Sequence, residues 1–482
     1  MSKFAEQEKN KMEELLRLFE SYTGRKATDT LEMNSSGSNR RYFRLSAEGV
    51  SVIGVLGNNL EENNAFITLS RHFKERNLPV PEVYMVSEDG MSYIQEDLGD
   101  SQLYDLVAKG RETGDYGEED AGLLCKAIAT LPALQFKGAE GLDYSICYPD
   151  SSFNARMVDF DLNYFKYCFL KATGLEFNEV RLQNDFDRLR EDLLQNIGNT
   201  FMHRDFQARN IMMRDGEPYI IDFQGGRRGP IYYDVASFIG QARSRFSSEL
   251  KDILVQAYLE ALKKFTDVDE DEFKENLRIF VLFRTLQVLG AYGFRGYFEK
   301  KPHFLGSVPF ALSGLRKLIA VPFVRYPYLN DLLDKLTSMQ NLYQVPEDKR
   351  LEVKINSFAY KRGIPMDETG NGGGYLFDCR AINNPGKYEH YRQFTGLDRE
   401  VVDFLVEDGE VLTFLDNVYS LVDRHVQRFQ ERGFTHLQVC FGCTGGQHRS
   451  VYCAERLAEH LVHKFDVKVV VSHRELGIEK MM

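Results

Sequence analysis

Apolar positions recur along this 482-residue chain with more than one period, and the changes of period divide it. In MSKFAEQEKNKMEELLRLFESYTG, Met12, Leu15, Leu16 and Phe19 fall at helical spacing, which predicts an amphipathic first helix. Residues 28–100 switch to strand texture. SSGSNRRYFRL (35–45) and VSVIGVLG (50–57) read as strand, turn and strand, EENNAFITLSRHFKERN (61–77) as a helix, and PEVYMVS and MSYIQEDLG (91–99) as strands about a SEDG turn. Residues 102–340 are mostly helical in period, with short β segments near 211–222. The polar stretch NLYQVPEDKR (341–350) predicts a linker. Beyond it, LEVKINSFAYKRG and GYLFDCRAINNPG alternate like strands, and LDREVVDFLVEDGEVLTFLDNVYSLVDRHVQRFQERG is helical. Strand HLQVCFG, a glycine-rich turn, helix RSVYCAERLAEHLVHKF and strand VKVVVSH complete a β-loop-α-β order. The pattern therefore predicts a β-rich small lobe (25–97), a helical large lobe (98–340), a linker (341–350) and an α/β domain (351–482).

Composition changes this picture little. The length is past the point where one hydrophobic core keeps growing, which agrees with several units. A net charge of −12 argues against nonspecific nucleic-acid binding, because phosphate repels an acidic chain. Seven cysteines, odd in number and scattered, suit a reducing cytoplasm better than a disulfide scaffold. The charged N-terminus has no apolar signal core, and no run reaches the ~18 apolar residues that span a bilayer. A cytoplasmic protein without a membrane partner is expected.

The densest chemistry lies in FMHRDFQARNIMMRDGEPYIIDFQ (201–224), which fits H-R-D-x-x-x-x-N followed by an aspartate at the end of a β-rich run. Phosphoryl transfer needs a carboxylate to orient the acceptor hydroxyl and hard oxygen ligands for Mg2+ beside the phosphates. Asp205 suits the first task and Asn210 and Asp222 the second, while His203 suits loop support. These residues resemble the aminoglycoside phosphotransferase family, relatives of the protein kinases, over roughly residues 10–330. The continuation IDFQGGRRGPIYYDVASFI (221–239), with RRYFRL (40–45), PVPEVY (79–84) and EDLGD (96–100), is similar to the kinases of N-acetylmuramate and N-acetylglucosamine that act at the anomeric hydroxyl. The resemblance implies a two-lobed α+β kinase-like fold, ATP and Mg2+ as cofactors, and a small-molecule sugar as substrate. It makes Asp205 the base, Asn210 and Asp222 the metal ligands and Asp234 a brace for the loop. The hinge at Gln95–Leu98, including Glu96 and Leu98, would contact adenine. Protein kinases carry a strand lysine for the α- and β-phosphates, yet Thr28 to His72 contains no lysine. Arg41 or Arg44 is a candidate replacement, and Ser36, Gly37 and Ser38 of SSGSN are candidates to cover phosphates. Arg227 and Arg228 in GGRRGP lean toward an anionic acceptor. Choline or an antibiotic is the rival acceptor, and a non-catalytic RNA or protein adapter the rival class.

A second signal is VCFGCTGGQHRSVYCAERL (439–457). Amides of a glycine-containing turn and of the following helix N-terminus make an anion site. Thr444, Gly445, Gly446, His448, Arg449 and Ser450 can add donors. The loop lacks the Gly-Lys-Ser/Thr of a Walker sequence. Cys443 and Arg449-Ser450 also fit the loop of cysteine-dependent phosphatases, and Cys440-x-x-Cys443 with His448 or Cys453 is a zinc option. With SFAYKRGIP, FDCRAINNP and TGLD, the GCTGGQHRSV motif resembles the C-terminal domain of the RNase adapter protein RapZ, over 351–480. That resemblance implies a pocket for glucosamine-6-phosphate or a related amino-sugar phosphate, lined by Arg380, Cys443, Thr444, Gly445, His448 and Arg449. It also implies a small regulatory RNA, against which the domain's 16 Lys/Arg and 19 Asp/Glu weigh. Gly386 stands where that family places a histidine. The second domain is expected to sense an intermediate or hold a product.

Overall fold

A computed structural model describes residues 3–33, 40–195, 197–343, 350–367, 369 and 374–482. The chain divides into two units, Met1–Pro346 and Glu347–Met482.

The first unit begins with helix α1 (Lys3–Thr23) and an antiparallel sheet of β1 (Asp29–Met33), β2 (Arg41–Ala47), β3 (Val50–Leu56), β4 (Val83–Val86) and β5 (Ser92–Glu96), in the order β1-β2-β3-β5-β4. Helix α2 (Leu60–Glu75) joins β3 to β4. The near-continuous apolar run of β3 has a direct cause: both faces of the sheet are covered. Leu15 and Phe19 of α1 pack on Phe43, Leu45, Val52, Leu56 and Ile94. Ile53, Val55 and Tyr93 on the other face join Phe66, Leu69 and Phe73 of α2. Gly54 lets α1 come close, since a Cβ there would stand 2.7 Å from Leu15 Cδ2. Thus α1 belongs with the small lobe. Helix α2 is capped by Asn59, whose Oδ1 accepts the Glu62 N–H at 3.0 Å.

The large lobe is helical around two small ribbons. One pairs β6 (Thr200–Met202) with β9 (Arg227–Gly229), and the other pairs β7 (Ile211–Arg214) with β8 (Glu217–Ile220). The β7–β8 turn is Asp215-Gly216, with φ of +54° and +77°, the left-handed pair a tight hairpin requires. Behind the ribbons lie α3 (Ile231–Ile239) and α4 (Glu270–Gly293). The stretch Glu270–Phe298 has the length and apolarity of a membrane span. Its Phe273, Leu277, Phe280, Phe283 and Leu286 are buried in the lobe's core. The first unit runs past residue 340: Gln340–Tyr343 is a helical turn with Leu342 buried.

The second unit is one mixed sheet, ordered β11-β12-β10-β13-β14, of β10 (Glu352–Ala359), β11 (Gly374–Asp378), β12 (His436–Cys443), β13 (Lys468–His473) and β14 (Ile478–Met481). All neighbours are parallel except β14, which runs antiparallel to β13. Gly409, at φ +78°, splits the expected single helix into Arg399–Asp408 and α5 (Glu410–Arg432). Helix α6 (Arg449–Lys464) follows the glycine-rich loop.

Candidate active site and anion pocket

The loop 203–210 is built from the inside. His203 is fully buried, its N–H reaches Asp234 Oδ2 at 2.7 Å, and the Arg204 N–H reaches Asp234 Oδ1 at 2.8 Å. Asp234, on α3, is fully buried too. Burial pushes its carboxyl up, and His203 with these two amides draws it back. The imidazole Nε2 lies 3.0 Å from the Ile221 carbonyl, and the Asp205 N–H points at Nδ1 at 3.3 Å. The contact with Ile221 ties the loop to the segment that delivers Asp222. Arg204 (φ +77°) and Asp222 (φ +63°) both hold left-handed backbone, a conformation that costs of order 1–3 kcal/mol in a non-glycine residue and concentrates at functional sites.

Asp205, Asn210 and Asp222 line one cleft of ≈ 1460 Å³ with Glu96, Leu98 and Gln95. Asn210 Nδ2 donates to the Asp205 carbonyl at 2.8 Å and to Asp205 Oδ2 at 3.2 Å, which turns Asn210 Oδ1 away from Asp205. Asp205 Oδ1 accepts from Gln207, and Asp222 Oδ1 accepts from Gln224 at 2.7 Å. One amide oxygen and one carboxylate form a hard donor set of the size Mg2+ uses when phosphates and water complete its shell. At the hinge, Gln95 Oε1 is buried without a hydrogen-bond partner while its residue lines the cleft, which suits a bound base. Glu96 is held by Lys74 at 3.1 Å and Arg214 at 2.7 Å. These residues fit a magnesium nucleotide.

The cationic candidates lie elsewhere. Arg41 grips Glu32 with two bonds, at 2.7 and 3.0 Å, and is absent from the cleft lining. Arg44 binds Asp97 (2.8 Å) and Asp100 (2.7 Å). Ser36, Gly37 and Ser38 fall outside the described residues. Arg227 is buried and donates to the Gly225 carbonyl. Burial and the nearby Arg204 charge lower it to about 10. Neither it nor exposed Arg228 lines the cleft. Instead Arg209, Arg243, Arg284 and Arg295 do, with Tyr164, Tyr292 and Phe304. Arg284 bonds Ser237 and the Tyr233 hydroxyl, each at 2.9 Å, and Gln287. Burial works against its charge, but Tyr233, Asp205 and Asp161 outweigh it and hold its pKa above the usual value. Most of these residues come from distant helices, so no local motif announces them.

In the second unit the pocket lies at the carboxyl ends of β11 and β12, where open α/β sheets bind ligands. Its ≈ 410 Å³ is lined by Arg380, Asn383, Asn384, Lys387, Thr444 and Arg449, among others. Lys387, Asn383, Asn384 and Glu410 had not been anticipated. Arg380 chelates Asp378 (2.6–3.0 Å), and buried Arg449 donates to the carbonyls of Arg380 (3.1 Å) and Ile382 (2.7 Å). Cys443 is buried beneath the loop. Its Sγ accepts the Gly446 N–H at 3.1 Å and lies 3.2 Å from Ser450 Oγ. His448 Nε2 sits 3.1 Å from the Tyr391 carbonyl, and burial lowers its pKa. Gly445 is exposed. No cluster of three or more His, Cys, Asp or Glu able to hold a metal occurs among the described residues, and Cys440 is turned to Asn356. A Cβ on Gly386 would stand 3.4 Å from the His448 ring. A side chain there would therefore start in van der Waals contact with His448. Elsewhere in the unit, buried Ser357, His473 and Glu455 form a relay with contacts of 2.8 and 2.7 Å.

Comparison with known proteins places both units. The phosphotransferase enzyme family matches residues 30–272, and the RapZ C-terminal domain matches residues 351–477. Among curated proteins, a nucleotide-binding protein of Ruegeria sp. (strain TM1040) is 40% identical over 131 residues, 27% of this chain and 42% of that one. One from Geobacillus thermodenitrificans is 39% identical over 138 residues, 29% of this chain and 44% of the other. The chain thus spans less than half the length of these two relatives. Among solved structures, a choline/ethanolamine kinase family protein from Mesorhizobium loti aligns at 12% identity and TM-score 0.44, covering 68% of this chain and 99% of that one. ADP-bound aminoglycoside phosphotransferase APH(2″)-Ib aligns at 15% and 0.43, covering 68% and 98%.

Proposed function

The chain belongs to the phosphotransferase enzyme family, and from that premise we propose that it transfers the γ-phosphoryl group of ATP to a sugar hydroxyl, the anomeric hydroxyl of N-acetylmuramate or N-acetylglucosamine. The observation that carries this reading is that Asp205, Asn210 and Asp222 line one cleft with the hinge residues Glu96 and Leu98. Asp205 accepts the hydrogen bond of the acceptor hydroxyl and takes its proton as the phosphoryl group moves. Asn210 and Asp222 hold Mg2+, which when bound neutralises charge on the phosphate oxygens. His203 and Asp234 fix the loop that carries Asp205. Arg209, Arg243, Arg284 and Arg295, set among aromatic rings, supply donors for the carboxylate of N-acetylmuramate, in a cleft that also carries Asp100, Asp105 and Asp161.

The fused RapZ C-terminal domain binds an amino-sugar phosphate such as glucosamine-6-phosphate. Arg380, Lys387 and Arg449 supply cationic donors and Thr444 a hydroxyl. A ligand that small needs only these local donors, whereas an RNA would meet a net-negative domain. Seven free thiols fit a reducing compartment.

The test is ATP, Mg2+ and a sugar panel, with sugar phosphate read by mass. Asp205→Asn is expected to lower turnover by about 10²-fold or more, since a positioned base contributes that much. Undiminished turnover in that variant removes Asp205 from the chemistry, and no sugar phosphate from the wild-type chain removes the sugar kinase.

A further inference from the structure

The small-lobe wall of the cleft is formed by Met33, Tyr42, Ile53, Glu62, Phe66 and the hinge, and it contains no cation among the described residues. A triphosphate brings several negative charges to a cleft that already holds Glu62, Asp205 and Asp222. Arg209, Arg243, Arg284 and Arg295 line the cleft from the large lobe, and a cation on the small-lobe side would complete the balance around the phosphates. Ile53 is the cleft-facing residue of β3, so that strand offers nothing. Arg41 pairs with Glu32, which is not part of the lining, and Arg44 and Lys74 pair with Asp97, Asp100 and Glu96 at the hinge.

Arg40 stands apart from these. It sits immediately before β2, and only 2% of it is exposed. Its NH2 lies 3.1 Å from Glu62 Oε1 and donates to the Glu62 carbonyl at 3.2 Å. Glu62 itself lines the cleft, in the first turn of α2. The guanidinium also lies 5.7 Å from the Phe66 ring centroid. Phe66 stacks at 4.8 Å on Phe223, the neighbour of Asp222. The buried Tyr93 hydroxyl feels the charges of both Arg40 and Asp222. Arg40 therefore lies one residue behind the cleft wall, on the side of the proposed metal ligands.

A buried charge is kept in place by a partner, and a guanidinium forks onto phosphate oxygens as readily as onto a carboxylate. We infer that Arg40, positioned by Glu62, is the residue that grips the nucleotide phosphates, doing from the start of β2 what a lysine on a later strand does in protein kinases. This rests on the kinase reading above. Arg40 is the phosphate-contacting residue and Glu62 its positioning residue.

The experiment measures affinity for ATP and for adenosine, each with Mg2+, by calorimetry on the full chain. Adenosine reports on the hinge and on folding, and ATP adds the phosphates. Arg40→Met is expected to weaken ATP by about 10- to 100-fold, the range of a charge-assisted bond, and to leave adenosine within about threefold. Arg40→Lys keeps the charge but loses the fork. It covers the case in which Arg40→Met does not fold, and is expected to lower the ratio of ATP to adenosine affinity by at least about threefold. An unchanged ratio in the folded variants, whether both affinities hold or both fall in parallel, overturns the assignment. A wild-type chain with no measurable ATP binding instead sinks the kinase reading.

Discussion

Two adjacent glycines in the second unit differ sharply in what a methyl group would meet. Gly446 has φ +69°, and a Cβ on it would fall 2.3 Å from Glu475 Cγ, 2.8 Å from the Ala359 nitrogen and 3.0 Å from the Phe358 carbonyl carbon. Two of those three atoms are backbone of a central strand and cannot swing aside. Left-handed backbone costs an alanine about 1–2 kcal/mol, and overpacking a filled site costs typically about 1–3 kcal/mol more. Gly446→Ala is therefore expected to destabilise the chain by about 2–5 kcal/mol. It should also shift the N–H now bonded to Cys443 Sγ and so distort the loop carrying Thr444 and Arg449. At Gly445 a Cβ meets nothing within 4 Å and φ is not positive, so Gly445→Ala is expected to stay within about 0.5 kcal/mol of wild type. Urea denaturation of the full chain reads stability, and calorimetric titration with glucosamine-6-phosphate reads the pocket. Comparable stability of the two variants, with ligand binding intact in both, would refute the packing argument.

The buried relay of the second unit yields two more expectations. Ser357→Ala removes the hydroxyl 2.8 Å from His473 Nδ1 in a site with no exposure, so about 1–3 kcal/mol of stability should be lost in the same denaturation assay. Although burial raises the Glu455 carboxyl, bonds from His473 and Lys480 outweigh it and leave the pKa below its usual 4.5. A depressed carboxylate adds stability that is complete above the unfolded value and lost as pH falls through the folded one. The wild-type melting temperature should thus fall more steeply than that of Glu455→Gln below about pH 4.5, and parallel profiles would remove Glu455 from acid sensitivity.

Much of this protein was readable along the chain because its information is local. Helical spacing of Leu15 and Phe19, the run of β3, and the H-R-D-x-x-x-x-N loop with Asp222 twelve residues beyond Asn210 are all patterns of near neighbours. The chemistry they imply needs those residue types on one loop, so spacing alone carries it. The family of each unit follows from the same short motifs, and Gly442-Cys-Thr-Gly-Gly marks the strand-to-helix loop that borders the second unit's pocket before any folding is known.

Tertiary structure decided what depends on residues far apart. Three near-adjacent cations, Arg40, Arg41 and Arg44, look alike in sequence, yet Arg40 is drawn inward to Glu62, Arg41 finds Glu32 away from the cleft lining, and Arg44 finds Asp97 and Asp100 beside the hinge. Alternation along a strand cannot report which acid waits across the fold. Arg243, Arg284 and Arg295 reach the cleft from separate parts of the large lobe, as Lys387 reaches the pocket of the second unit from a loop of its own. A short motif determines which groups can do chemistry. Only packing, which sets each buried charge against its partner, determines which of the available charges face the ligand.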